Sequence, residues 1–246
     1  MLSNIVNPIY YFGKIKDIFR FVVCPSSDSS ENNFGVIAII DFFVITLITL
    51  ILAVSVNALT LYLLKPELTG SLSSLQQNKS PFVFALLLVL IAPIREELYY
   101  RLFLKFAPTF LAVSFAVFCH QLISKQWYHV AIYDTEVYPF SRLTFAMLLA
   151  VVFYLIISQK NIGSQISSFF TKYFKWIFWF SCICFACSHS HYFETNIFNT
   201  LLMPILILPQ LILGLSLGYM RIKYGMIYAA LLHMLYNSSY FLMLLF

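Results

Sequence analysis

Two adjacent carboxylates and two arginines stand at the end of a strongly apolar run of this chain. The stretch PIREELYYRLFLKF contains Arg95, Glu96, Glu97 and Arg101. Ionisable side chains are costly inside an apolar membrane segment, so their presence suggests a functional site. On a helix, residues four apart share a face, while adjacent residues diverge by about 100°. We therefore expect Glu97 to pair with Arg101 and Glu96 to be available as a general base.

Two further segments supply imidazole and amide groups. FACSH ends in His189, and HMLYN places His233 and Asn237 four residues apart. His191, two residues after His189, is the alternative working imidazole of the first segment. Two neutral imidazoles and the Glu96 carboxylate can hold Zn²⁺ with one position open for water, whose pKa the metal lowers. Without a metal, Glu96 and His189 activate the water, while His233 and Asn237 donate hydrogen bonds to an oxyanion. Both schemes hydrolyse an amide or ester, and the sequence does not choose between them.

The composition predicts that membrane helices position these groups. Of the 246 residues, 61% are hydrophobic and 10% are charged, and the mean hydropathy is +0.85. A soluble domain is roughly half apolar and about a quarter charged. The sequence therefore predicts an integral multi-pass membrane protein that contacts lipid. The net charge of +5 requires no nucleic-acid partner, because basic residues that flank membrane spans set the topology.

Apolar segments of about 20 residues predict an all-α, polytopic transmembrane bundle of about seven spans within residues 36–246. Pro204 and Pro209 are expected to kink the sixth span. The predicted spans cover residues 36–64, 81–105, 108–124, 142–159, 173–193, 198–220 and 225–246.

The segment before the first span, residues 1–35, has a different composition. Apolar residues recur at helical spacing between Ile15 and Val22, with charged residues between them. This pattern predicts a cytoplasmic amphipathic helix in the plane of the membrane, followed by a linker. The bias of Lys and Arg places the N-terminus in the cytoplasm, at the cell membrane if the organism is a bacterium. Asp41, near the inner end of the first span, is expected to reach the interface.

The predicted topology brings the chemical groups to a similar depth. With a rise of about 1.5 Å per residue, Glu96, His189 and His233 come within about one and a half helical turns of a common depth. Two predicted spans lie between the spans that carry Glu97 and His189. Because this number is even, the relative direction of those two spans is preserved, and their polar groups stay at a similar depth. We therefore expect the three side chains to meet inside the membrane.

Taken together, the three segments resemble the motifs of a known family. EELYYR fits EExxxR, FACSH fits FxxxH and HMLYN fits HxxxN. This order resembles the CPBP family, which includes the CAAX proteases, the bacteriocin-processing enzymes and the abortive-infection proteins. The resemblance covers residues 81–240. Gly214, Gly218 and Gly225, which precede the last motif, are expected to allow close helix approach.

The resemblance implies an intramembrane endopeptidase of the glutamate or metal-assisted type, acting on a membrane-associated or lipidated peptide. In its eukaryotic members, the enzyme removes the last three residues of prenylated CAAX proteins. Within the implied site, Glu96 is the base, supported by Glu97 and Arg101. The positions carried over are Glu96, Glu97, Arg101, His189, His233 and Asn237.

Two other functions would keep the architecture but change the chemistry. A non-catalytic membrane protein of the bacteriocin-immunity or scaffold type would need no reactive site. A proton or ion transporter would use Glu96, Glu97 and the histidines as a relay, but the sequence contains no inverted repeat and no paired broken helices. Neither the substrate nor the oligomeric state is indicated by the sequence.

Overall fold

A computed structural model describes residues 8–27, 36–69, 80–130 and 137–245 of the chain. Within these residues the chain is helical apart from its connections, and the β structure is one antiparallel bridge between Leu68 and Phe193. The all-α prediction is confirmed for this part of the chain. Residues 1–7 and most of the predicted linker lie outside the described residues.

The helices cover all seven of the predicted apolar segments. A π-helical stretch, Leu86–Ile91, joins the helices Pro81–Ala85 and Ala92–Tyr100, and a second, Ile123–Trp127, continues the helix Pro108–Leu122. In chain order the α-helices are α1 (Pro8–Val23), α2 (Val36–Leu64), α3 (Pro81–Ala85), α4 (Ala92–Tyr100), α5 (Pro108–Leu122), α6 (Pro139–Ile157), α7 (Lys160–Lys172), α8 (Phe174–Cys187), α9 (Ile197–Leu206), α10 (Leu208–Lys223) and α11 (Met226–Leu245).

Among the described residues, three helical segments are long and apolar enough to cross a membrane. They are Ile37–Leu64, Pro139–Ile157 and Ile197–Lys223, and they coincide with the first, fourth and sixth predicted spans. The other four predicted spans are helical in the structure. The number of seven spans and the cytoplasmic N-terminus stay predictions.

The sixth predicted span is interrupted near its two prolines, where the sequence predicts a kink. Pro204 lies inside α9, which ends at Leu206, and Pro209 lies in the first turn of α10. Proline removes a helical N–H donor, and its ring clashes with the preceding turn. Pro209 is tolerated because the first turn of a helix has no acceptor for that N–H.

Helix α10 lies at the centre of the bundle and packs against α2, α8 and α11. A Cβ at Gly218 would stand 2.6 Å from Phe178 Cε2, so this glycine allows close approach to α8, as predicted. Gly214 is similarly close to α8. The prediction for Gly225 was wrong: it has open space around it and a φ of +103°. Its role is to form the turn between α10 and α11, where the chain needs a positive φ that residues with a side chain rarely adopt.

The segment predicted to form an amphipathic helix lies within α1. Its amphipathic, in-plane character stays a prediction, and the bundle buries only part of its apolar residues. Phe21 is buried and packs edge-on against Phe178, with ring centroids 5.3 Å apart. Ile18 packs against the same core, whereas Ile15 and Phe19 are exposed. The exposed apolar side chains are available to lipid.

Asp41 departs from its prediction, because it is fully buried rather than exposed at an interface. Its carboxylate accepts hydrogen bonds from the Tyr10 hydroxyl and, at 2.7 Å, from the Tyr224 hydroxyl. Lys14 Nζ lies 2.7 Å from the same carboxylate. These three donors replace water around Asp41. They come from α1 and from the turn after α10, so the position of Asp41 in the sequence gave no sign of them.

One helix was not predicted. Residues 160–172, which lie between the fourth and fifth predicted spans, form α7. Phe170 of α7 packs against Phe103 and Phe106, with ring centroids 6.4 and 5.1 Å apart. Helix α7 therefore covers the chain just after the EExxxR motif.

Candidate active site

A π-helical turn leads into α4, the helix that carries the two adjacent carboxylates. In this turn the Ala92 N–H donates to the carbonyl of Leu87, five residues back. With the same five-residue spacing, the donor for the Leu88 carbonyl would be residue 93. This residue is Pro93, which has no N–H. Asn237 of α11 supplies the missing donor, with its Nδ2 2.9 Å from the Leu88 oxygen. Since buried carbonyls require partners, this hydrogen bond fixes α11 against the start of the EExxxR helix.

Glu97 is the centre of a buried ion-pair network. Its Oε1 lies 3.2 Å from Arg101 Nη1 and 2.9 Å from His233 Nδ1. The predicted pair of Glu97 with Arg101 is thus present, and all three side chains are buried. Because a carboxylate oxygen accepts, His233 donates its Nδ1 hydrogen. A neutral His233 ring therefore carries an unprotonated Nε2 on its other side.

Phe185, the first residue of the FxxxH motif, holds the network together. The guanidinium carbon of Arg101 lies 3.8 Å from the centroid of the Phe185 ring, a cation–π contact. The same ring packs edge-on against His189 and His233, with centroids 4.8 and 5.6 Å away. Gly214 makes room for it, because a Cβ there would stand 3.1 Å from Phe185 Cδ1. Sequence analysis identified the motif but not this packing role.

Glu96 faces both imidazole rings. Its Oε2 lies 3.7 Å from His233 Nε2 and 3.9 Å from His189 Nε2. These distances are too long for direct hydrogen bonds, and a bridging water can connect groups at such separations. Arg95 Nη2 lies 3.7 Å from the other oxygen, and the Glu96 side chain keeps 17% exposure. Glu96 is therefore more accessible than Glu97.

The structure places His189, rather than His191, beside Glu96. His189 lies in the turn after α8, where its Nδ1 is 2.8 Å from the Phe185 carbonyl. A carbonyl accepts, so Nδ1 donates and the Nε2 that faces Glu96 is unprotonated in the neutral ring. His191 is exposed, and its Nδ1 lies 2.7 Å from the Ser188 carbonyl.

The loop that follows the FxxxH motif is tied to the segment after α2. The Glu194 N–H donates to the Glu67 carbonyl at 2.9 Å, and the Thr69 N–H donates to the Tyr192 carbonyl at 3.0 Å. Buried Asn199 donates to the carbonyls of Glu67 and Glu194, each at 2.9 Å. These contacts hold the loop that carries the second imidazole, and no motif in the sequence indicated them.

Three further side chains donate hydrogen bonds to backbone carbonyls of α4 and of the residues just after it. The motifs in the sequence do not include them. Ser114 of α5 donates to the Leu98 carbonyl at 2.8 Å, and Ser181 of α8 donates to the Tyr100 carbonyl. Arg221 of α10 binds the carbonyls beyond the end of the helix. Serines in apolar helices are common, and an arginine at the end of an apolar segment, such as Arg221, is expected to set topology. The sequence therefore contained little signal for these roles.

The ligand types of Glu96, His189 and His233 fit a zinc ion, because they are a carboxylate and two unprotonated imidazole nitrogens. Tetrahedral zinc with bonds of about 2.0–2.1 Å holds its ligands roughly 3.3 Å apart. The corresponding separations from Glu96 are 3.7 and 3.9 Å. Over the described part of the chain, no group of three His, Cys, Asp or Glu side chains is close enough to count as a metal cluster. The site thus matches zinc in chemistry but is somewhat wide.

A family model described as Rce1-like, type II CAAX prenyl endopeptidase, matches residues 78–239. This range is more than half of the chain and nearly coincides with the range of the resemblance seen in the sequence. It includes all six of the predicted site residues. Among curated proteins and among solved structures, none matches the chain.

Proposed function

Because the chain belongs to the Rce1-like family of type II CAAX prenyl endopeptidases, we propose that it is an intramembrane endopeptidase. The observation that carries the proposal is the convergence of Glu96 with two histidines. The three side chains come from α4, the turn after α8 and α11, with their facing atoms 3.7 and 3.9 Å apart. Such a group can bind and deprotonate a single water molecule.

In the proposed reaction, Glu96 is the general base. A water molecule between Glu96 and the two Nε2 atoms transfers a proton to Glu96, and its oxygen attacks the carbonyl carbon of the scissile peptide bond. The C–N bond then breaks, and the proton held by Glu96 passes to the leaving amine. Glu97 and Arg101 do not take part in proton transfer. Their role is to hold His233 in the required tautomer and orientation.

Asn237 is the residue that we assign to the oxyanion. Its amide nitrogen carries two hydrogens, of which one is donated to the Leu88 carbonyl. The second hydrogen is available to a developing negative charge on the substrate. The contact of His233 Nδ1 with Glu97 supports the assignment of His233 to the water rather than to the oxyanion.

The metal-assisted form of the same reaction uses the same residues. Glu96, His189 and His233 would hold Zn²⁺, which would polarise the substrate carbonyl and lower the pKa of bound water. In both forms, Glu97 and the Phe185 carbonyl orient the imidazoles through their Nδ1 hydrogens.

The substrate that we propose is the C-terminal segment of a prenylated, membrane-associated protein. The family description names CAAX prenyl endopeptidases. The helical run that leads to Glu96 exposes Leu90, Ile91 and Ile94, each 38% exposed. An apolar surface beside the site would suit a lipid-linked peptide approaching from the membrane.

The test uses the purified full-length chain in proteoliposomes and a quenched fluorescent peptide with a farnesylated Cys followed by three residues. Glu96→Gln removes the base with little change in volume, so kcat should fall by about 10³-fold. Glu194→Gln is the matched control, because Glu194 is an exposed glutamate in the loop after the FxxxH motif. This control should cleave at the wild-type rate.

Cleavage by Glu96→Gln at the wild-type rate would overturn the assignment of the base. A folded wild-type chain that cleaves neither farnesylated nor unmodified peptides would instead favour the non-catalytic scaffold function. Zinc analysis of wild type and His233→Ala separates the two chemical forms, since only the metal-assisted form predicts bound zinc that the variant loses.

A further inference from the structure

The end of α4 is an irregular piece of backbone close to the proposed site. The helix ends at Tyr100, and Arg101 follows with φ −121° and ψ −22°, before a 3₁₀ turn over Leu102–Leu104. The last carbonyls of a helix have no partners within the helix, so they must find donors elsewhere. The side chain of Arg101 belongs to the buried network around Glu97. Any shift of the backbone here would therefore move that network.

Arg221 of α10 supplies donors at this position. Its Nε lies 3.1 Å from the Arg101 carbonyl oxygen, and its Nη2 lies 2.9 Å from the Leu102 carbonyl oxygen. The residue is only 4% exposed, and its guanidinium lies over the Phe110 ring at 5.4 Å. A guanidinium has a fixed fork of donors that can bind two carbonyls at once, unlike an ammonium group.

The contacts of Arg221 lead to the proposed base in three further steps. Arg221 holds the backbone of Arg101, and the Arg101 side chain lies 3.2 Å from Glu97. Glu97 in turn accepts from His233, whose other nitrogen faces Glu96. Every side chain before Glu96 in this series is buried, so none of these links can exchange easily for water.

Arg221 could instead be a basic residue that marks the inner end of a span and extends to the membrane surface. Its neighbour Lys223 is only half-buried, and its Nζ lies 6.0 Å from the centroid of the Phe21 ring. Arg221 turns inward and is buried against two carbonyls of the EExxxR segment. Burial of a cation is costly unless hydrogen bonds compensate for it, so this arrangement favours a specific role.

We propose that Arg221 is a positioning residue for peptide hydrolysis, which sets the location of the Arg101–Glu97–His233 network by binding the carbonyls of Arg101 and Leu102. This role rests on the proposed endopeptidase function, since it concerns the same site. It adds a residue outside the three motifs to the machinery. The role is geometric, and Arg221 itself does not touch the reacting atoms.

The test compares Arg221→Lys and Arg221→Gln with Lys223→Gln in the farnesylated-peptide assay on the full-length chain. Arg221→Lys keeps the charge but cannot hold both carbonyls in the same geometry. Displacements of about 1 Å can cost roughly 100-fold in rate, so kcat should fall tenfold or more while KM changes less than twofold. Lys223→Gln removes a charge from the same helix end and should leave both constants unchanged.

A double-variant comparison separates positioning from general loss of stability. If Arg221 acts through Glu97, adding Arg221→Lys to Glu97→Gln should lower kcat by less than twofold beyond Glu97→Gln alone. Fold losses that multiply in the double variant would overturn the proposal. Wild-type kcat in Arg221→Lys would also overturn it, as would failure of both Arg221 variants to accumulate as folded protein, which would assign the residue to folding.

Hydrogen–deuterium exchange makes the outcome independent of catalysis. Backbone amides of residues 101–104 should exchange faster in Arg221→Lys than in wild type and in Lys223→Gln, because the end of α4 is less restrained. If wild type does not cleave the peptide, the endopeptidase proposal fails, and this exchange measurement still decides the positioning role. Unchanged exchange at residues 101–104 would overturn it.

Discussion

Two fully buried carboxylates in the described part of the chain, Asp41 and Glu97, have different surroundings. Asp41 accepts from two tyrosine hydroxyls and lies 2.7 Å from Lys14. Glu97 accepts from Arg101 and from His233. The polar partners named at Asp41 all donate to that one carboxylate, whereas His233 has a second nitrogen that faces Glu96.

The surroundings of Asp41 indicate a structural role for that carboxylate, whereas those of Glu97 include the candidate active site. Around Asp41, donors surround an acceptor, so hydrogen bonding within the protein meets its needs. Beside Glu97, the Glu96 carboxylate faces the Nε2 atoms of His189 and His233, which are acceptors when both rings are neutral. Facing acceptors require a bridging donor or cation, which a water molecule or a metal ion supplies. The arrangement at Glu96 therefore favours binding of a small group.

The largest effect that tests this comparison should come from Asp41→Asn. The amide cannot accept on both sides, so Lys14 and one tyrosine lose a buried partner. We expect the free energy of unfolding to fall by about 3 kcal/mol, with unchanged kcat per folded molecule. Thermal melting in detergent and the peptide assay measure the two quantities. Asp17→Asn, at an exposed position on α1, is the control, and equal melting of both variants would contradict the structural role.

A somewhat smaller effect should distinguish the two neighbouring histidines. His189→Ala removes an imidazole that faces Glu96, so we expect kcat to fall about 100-fold, equivalent to about 2.7 kcal/mol. His191→Ala changes an exposed ring and should cleave at the wild-type rate. The peptide assay provides the measurement, with melting temperature as the check on folding. A greater loss from His191→Ala than from His189→Ala would reverse the assignment.

The smallest effect should come from Gly214→Ala, which changes packing without removing or adding a polar group. The new methyl group would stand 3.1 Å from Phe185 Cδ1 and 3.4 Å from Arg101 Nη2. Phe185 must then move by a few tenths of an ångström against both histidines, so we expect kcat to fall about threefold. Gly13→Ala on α1, where nothing lies within 4 Å of the new Cβ, should have wild-type kcat. Equal kcat for both variants would show that Phe185 does not set the histidine geometry.

Much of the fold could be predicted, because helix formation in an apolar chain depends on local pattern. The first predicted span, residues 36–64, has the same limits as α2. The prolines correctly predicted the break between α9 and α10. Helix α7 was not predicted because its apolar residues recur at helical spacing over only 13 residues. So short an amphipathic segment is hard to tell from a connection.

Part of the candidate site could also be predicted. Residues four apart on a helix meet, so the pair of Glu97 with Arg101 followed from spacing. The relative depth of Glu96, His189 and His233 followed from the order of the spans. The hydrogen bond of Asn237 with Leu88 and the position of Phe185 between the histidines did not, because they depend on how separate helices rotate and pack. The assignment of Asn237 to the oxyanion stays a prediction.

Local chemistry in the sequence was sufficient for the helical class, the membrane character, the family and the choice of candidate site residues. These properties depend on hydropathy, spacing and motif order, all of which act over short stretches of chain. The orientation of His189 toward Glu96, the burial of Asp41 and the inward turn of Arg221 required the packed structure. Each includes at least one contact between residues more than 90 positions apart, and such contacts exist only after the helices have come together.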